Sequence, residues 1–261
     1  MPANEALPLS KEAALKTLEL DPDAAEGHSS LGLIQCAYKW DWAASEASFR
    51  RALELQPGLA LIDWPYSLFC LLPQLKLEEA CSMTDRALNL DPFNPTTQAL
   101  AIFIYANAGR FEDAMRQMAL GIELNPKFVP FYYCGGLAQE WQGNLGEAIS
   151  TFRRACELMP LPSPLGALGH ALSVSGEKQE ARQILKRLLE FSDCPAVDLA
   201  IVHLGLREDD EALRWLEVAV EQRNLRLLTI PVDRRFRRLA EHPRFHGVMQ
   251  RMDLRAVADA G

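Results

Sequence analysis

The chain has 261 residues, 49% hydrophobic and 24% charged, with 27 Lys and Arg against 35 Asp and Glu for a net charge of −8. That balance excludes a disordered or fibrous chain, and so acidic an average excludes binding nucleic acid with the whole surface. Leu and Ala dominate while β-branched residues are few, which points to helix over sheet.

In chain order, the opening Met-Pro-Ala-Asn-Glu lacks the basic and apolar regions of a secretory signal. The first predicted helix runs from Glu12 to Leu20, with Ser10 placed to cap it and residues 1–9 too short and irregular to form a partner helix. From there similar phrases close on proline: LELDP at Pro22, LELQP at Pro57, LNLDP at Pro92, IELNP at Pro126 and CELMP at Pro160, spaced by 35, 35, 34 and 34 residues. Proline stops each second helix where it costs least.

Internal positions repeat with the same rhythm. Leu31-Gly32, Phe49, Ala52 and Pro57 mark one unit; Tyr105, Ala114, Gly121 and Pro126 another; Gly136, Ala148, Phe152, Ala155 and Pro160 a third. Leu168-Gly169 with Ala181, then Leu199-Ala200 with Ala212 and Ala219, continue it. Small residues recur because two helices must cross closely there. Gly109, Gly143 and Gly176 stand where each first helix turns back. The second unit is irregular: Asp63 is expected to cap a late helix, with Pro65 in its first turn and Pro73 ending it. Six units fit between about Ala24 and Arg223. The predicted fold is an all-α helix-turn-helix repeat solenoid over residues 1–223, lone N-terminal helix included, with a basic capping segment over 224–261. An array end needs cover, so the chain reads as cut from something longer or covered at its start by another domain.

The period and its small-residue positions resemble the tetratricopeptide repeat (TPR). Two phrases resemble, more narrowly, the C-terminal repeat regions of bacterial multidomain regulators that carry a winged-helix, kinase or adenylate cyclase domain. They are YKWDWAASEASFRRALELQP, which has a one-residue insertion, and VDRRFRRLAEHPRFHGVMQRMDL. Arg234-Arg235-Phe236 departs from the Asp-Pro-x-Phe of those relatives, and no kinase or winged-helix phrase is present. The resemblance implies that first helices line a concave groove, which maps Leu33, Leu61, Trp64, Leu68, Leu72, Phe103, Tyr133, Leu137 and Trp141 onto it. Glu26, Thr96, Asn107, Glu140, His170 and Ser173 are its polar members. The Lys/Asn clamp that grips a terminal carboxylate in some relatives is missing.

The expected site is therefore an apolar partner-binding groove of Leu33, Trp64, Leu68, Phe103, Tyr133, Leu137, Trp141 and His170, taking a peptide or a partner helix. Trp64, Phe103 and Trp141 are its expected anchors. The alternatives are burial of these residues by superhelical stacking or by the chain's own tail, and occupation of the groove by a small hydrophobic ligand in a sensing module. From Glu221 onward nine arginines face five acidic residues, +4, against −12 for the rest. The tail reads as a cap whose Phe236, Leu239, Phe245, Met249 and Met252 pack on the last repeat. Docking of an acidic partner or nucleic acid is the alternative.

Catalytic signals are missing. The six cysteines, Cys36, Cys70, Cys81, Cys134, Cys156 and Cys194, form no C-x-x-C pair and are expected to be free thiols in a reducing cytoplasm. His242 and His246 lack H-E-x-x-H context, while His170 and His203 read as packing or groove residues. Glu78-Glu79 and Asp209-Asp210 suit the starts of second helices. No P-loop, Rossmann glycine pattern or G-x-S-x-G occurs, and the longest uncharged apolar stretch, Ala99 to Ala108, is about half a membrane span. The expectation is a cytoplasmic, non-enzymatic interaction module without metal or cofactor, monomeric by preference.

Overall fold

The computed structural model describes residues 3–193 and 196–254. A first helix, α1 (Ala3–Leu20), precedes six antiparallel pairs. They are α2 (Ala25–Ile34) with α3 (Trp42–Leu55), α4 (Ala60–Pro65) with α5 (Leu77–Leu90), and α6 (Pro95–Asn107) with α7 (Phe111–Leu124). Then follow α8 (Val129–Trp141) with α9 (Leu145–Leu158), α10 (Pro162–Ser175) with α11 (Lys178–Leu189), and α12 (Ala196–Leu206) with α13 (Asp209–Glu221). Two 3-10 turns, Leu225–Thr229 and Arg234–Leu239, lead to the closing helix α14 (Pro243–Arg251), and the described residues contain no strand. The architecture is an all-α repeat solenoid.

Each pair turns back through one residue in the left-handed region. Gly109, Gly143 and Gly176 do so at φ of 77°, 86° and 100°, and Trp40, Leu75 and Arg207 take the corresponding places at 57°, 62° and 65°. Only glycine adopts this conformation without a Cβ penalty, which is why three of the six turns were legible and three were not. The crossings are equally tight. A Cβ on Gly32 would stand 2.8 Å from the Phe49 ring, and one on Gly136 would stand 2.5 Å from Phe152.

The 35-residue spacing of the first two units has a structural cause. Their first helices widen into π-helical turns, Gln35–Lys39 after α2 and Tyr66–Leu71 after α4, whereas α6 and α8, in the 34-residue units, stay regular. A π turn is how a helix absorbs one inserted residue without breaking.

Two expectations about helix starts are corrected. α1 begins at Ala3 with Pro8 inside it, so Ser10 lies within the helix and does not cap it. The early turns hold because Leu7, 8% exposed, is buried in the core formed with the C-terminal segment. α4 begins at Ala60, so Asp63 lies in its first turn, fully buried and paired with Arg86 at 3.1 Å. Asp233 caps the Arg234–Leu239 turn through Arg235 N, and His242 Nδ1 accepts from Arg244 N to start α14.

One apolar core runs through the units from α2 to α12. A second unites Leu7, Ala37, Trp40 and Trp42 with Leu216, Leu228, Phe236 and Met252. First and last units thus share a core, and the solenoid closes on itself. Trp42 Nε1 donates to the Met252 carbonyl at 2.8 Å, and the Arg223 guanidinium lies 3.6 Å from the centre of the Trp40 ring.

Candidate functional site

The chain's own tail lies against the first helices α6, α8 and α12, part of the expected groove. Arg234 sits over the rings of Phe111 at 5.1 Å and Trp141 at 5.8 Å, and donates to the Ala106 carbonyl that ends α6. Arg226 lies 5.5 Å from the centre of the Tyr133 ring and 3.5 Å from the fully buried Asp198 carboxylate of α12. Arg235 and Asp233, each 6% exposed, form a bidentate pair within the tail. Burial opposes ionisation of Asp233, but the Arg235 guanidinium holds its carboxyl below the usual range. Planar guanidinium stacking on aromatic faces gives these contacts direction as well as charge.

The structure brings together only part of the expected groove. Phe103 and Trp141 pack with ring centres 5.8 Å apart, and Tyr133 joins them under the tail. Leu68 lines a cavity beside Phe103 and Tyr133, and Leu33 packs where the two cores meet. Leu137, 1% exposed, and the fully buried Leu72 belong to the core. As surface anchors they are corrected, because adjacent first helices pack across them. His170 is spent on Glu140, Nδ1 to Oε1 at 2.6 Å, and His203 on Glu208 at 2.7 Å.

Trp64 stands apart. With Leu61 and Leu59 of the preceding turn, and Leu90, Asp91, Asn94 and Thr97 of the next, it lines an open cleft of about 260 Å³ at the edge carrying the inter-repeat turns. Leu61 is 59% exposed, Leu90 44%, and Phe93 in the same turn 70%. Phe93 was missed on the concave-face assumption. Its signal is that an aromatic follows the closing proline where Asp23, Gly58, Lys127 and Leu161 follow it elsewhere.

The tail's positive charge is used inside the molecule. Arg238 pairs with Asp209 at 2.5 Å, Arg244 with Glu217 at 2.9 Å and Arg251 with Glu221 at 2.9 Å. Arg237 is exposed, and Cys194, Arg255 and Asp259 lie outside the described residues. His242 and His246 face backbone groups, and no group of three His, Cys, Asp or Glu among the described residues is placed to hold a metal. Burial pushes the Cys36 and Cys134 thiols up to about 12 and those of Cys70 and Cys156 up to about 11, so these sulfurs are neutral and poor nucleophiles near neutral pH.

Solved structures agree with the architecture. A tetratricopeptide repeat protein from Parabacteroides merdae ATCC 43184 is similar over 87% of this chain and 92% of its own, with a TM-score of 0.64 and 16% identity. PilW, a widely conserved type IV pilus biogenesis factor, is similar over 77% of this chain and 99% of its own, with a TM-score of 0.59 and 20% identity. A chain of the APC/C hetero-tetramer Cut9-Hcn1 is similar over 96% of this chain and 46% of its own, with a TM-score of 0.62 and 14% identity. The fold is that of the TPR solenoids. No protein-family model and no curated protein matches the sequence, and no described helix is long and apolar enough to cross a membrane.

Proposed function

We propose that this protein is a non-enzymatic interaction scaffold whose docking surface is the edge cleft of Trp64, with Leu61, Leu90 and Phe93 around it, and not the concave groove. The observation that carries the reading is that Leu61 and Leu90 stand open on this cleft beside the half-buried Trp64, with Phe93 exposed in the turn that supplies Asp91 and Asn94, while Tyr133 and Trp141 are engaged by the tail. Contiguous exposed apolar side chains around a cleft are characteristic of binding sites. The occupant is a short protein segment with one bulky apolar anchor and basic flanks. Charge supports this: the chain is −8 overall, its tail arginines are largely paired internally, and Asp91 forms part of the cleft wall. A cytoplasmic scaffold or sensing part of a bacterial regulator is the setting, supported by the resemblance of the Tyr38–Pro57 and Val232–Leu254 phrases.

The test is selection of short peptides on the full chain from a library with a fixed central Phe, Leu or Trp. Selected binders should carry Lys or Arg flanks and lose at least about tenfold in affinity on a Leu61→Ser/Phe93→Ser variant, both positions being exposed. Binders indifferent to that variant would overturn the reading.

A further inference from the structure

Between the first helices and the tail lies a half-open pocket of about 160 Å³. Leu68, Leu100, Phe103, Tyr133 and Cys134 supply its apolar walls, and Arg226, Thr229 and Asp233 of the tail close one end. Apolar cavities of about 150 Å³ accept benzene-sized guests, so this pocket has room for one. Tyr133 and Cys134 are half-buried, and both line this pocket.

That end also defines the guest's chemistry. The Thr229 hydroxyl gives its proton to the Arg226 carbonyl at 2.9 Å, leaving its oxygen to accept, while the Asp233 carboxylate is taken up by Arg235. The two charged residues that line it are already paired, Arg226 with Asp198 and Asp233 with Arg235, so neither a cation nor an anion finds an unsatisfied counter-charge there. We propose that this cavity is a binding site for a small, neutral, planar aromatic molecule carrying one hydrogen-bond donor, of phenol or indole size. Because groove and tail both wall it, the guest fastens the tail to the repeats. The site is separate from the edge cleft, and either can fail alone.

The experiment is calorimetric titration and thermal denaturation of the full chain with indole, and with indene as the isostere lacking the donor. Indole should bind saturably and raise the melting temperature with concentration, about tenfold more tightly than indene. Cys134→Phe, which fills the cavity from α8, should weaken indole at least about tenfold. Leu68→Phe fills it from α4's extension and serves if the first variant does not fold. Thr229→Val should bring indole down to the level of indene. No saturable binding of indole, or undiminished binding by a folded filled variant, overturns the site. Equal affinity for indole and indene overturns the donor assignment.

Discussion

Trp42 and Met252 are 210 residues apart and joined by a hydrogen bond, Nε1 to carbonyl oxygen, at 2.8 Å. Both side chains are buried in the core shared by the first and last units. The bond pins the Trp40-Asp41-Trp42 turn to the end of α14, so the closing segment caps the last repeat and meets the first as well.

Replacing Trp42 by Phe keeps the ring's apolar contacts and removes the donor, leaving the Met252 carbonyl without that partner. The expected loss is about 1 kcal/mol; Trp42→Ala, which also empties ring volume, should cost about 3–5 kcal/mol. Denaturant unfolding measures both. Hydrogen exchange should show lost protection in α14 and little change in α6 to α9.

Glycines divide into those that cannot carry a methyl group and those that can. Gly136→Ala drives a Cβ to 2.5 Å from the ring of Phe152, which is fully buried and has nowhere to move. A loss of about 1–3 kcal/mol is expected. Gly146, in the first turn of α9 with open space around it, should gain about 0.5–1 kcal/mol as Ala. Thermal melts of the two variants should therefore move in opposite directions.

Arg207 holds a left-handed turn at φ 65° and is exposed. Three other units use glycine there, so Arg207→Gly relieves the Cβ penalty, worth about 1–2 kcal/mol, against a smaller loss from the more flexible unfolded chain. The melting temperature should rise. A fall would show that the arginine contributes more than its backbone costs.

Burial raises the Asp63 carboxyl from 3.8 to about 6, against the pull of Arg86. Between these values the folded protein binds more protons than the unfolded chain. This group's contribution therefore favours folding increasingly as pH falls from about 7 toward 4, and that gain is lost as pH rises through about 6. Each unit of pKa difference corresponds to about 1.4 kcal/mol. Asp198, also raised by burial, acts with the same sign. Glu46, Glu208 and Glu217 have lowered pKa values, so their stabilising contributions are lost only on further acidification, below the usual glutamate range. Unfolding free energies measured from pH 7.5 to 5 should climb for the native chain and climb less for Asp63→Asn.

The sequence by itself determined whatever depends on contacts within one repeat or between neighbours. The prolines set the period, the small residues at Gly32, Gly121 and Gly136 marked the crossings, and Gly109, Gly143 and Gly176 marked the turns. Even the π turns were written as the difference between 35 and 34 residues. These are local signals, repeated often enough to be read. Only the tertiary structure decided how the array closes. Closure sums small rotations over six units, and no single residue carries that sum. It brought Trp42 to Met252, laid Arg226 and Arg234 on Tyr133 and Trp141, and set the tail's charge against acidic groups of the body. It therefore also decided which apolar residues remain open: Trp141 reads as a partner anchor along the chain but engages the tail and Phe103, whereas Phe93, in a turn, is exposed.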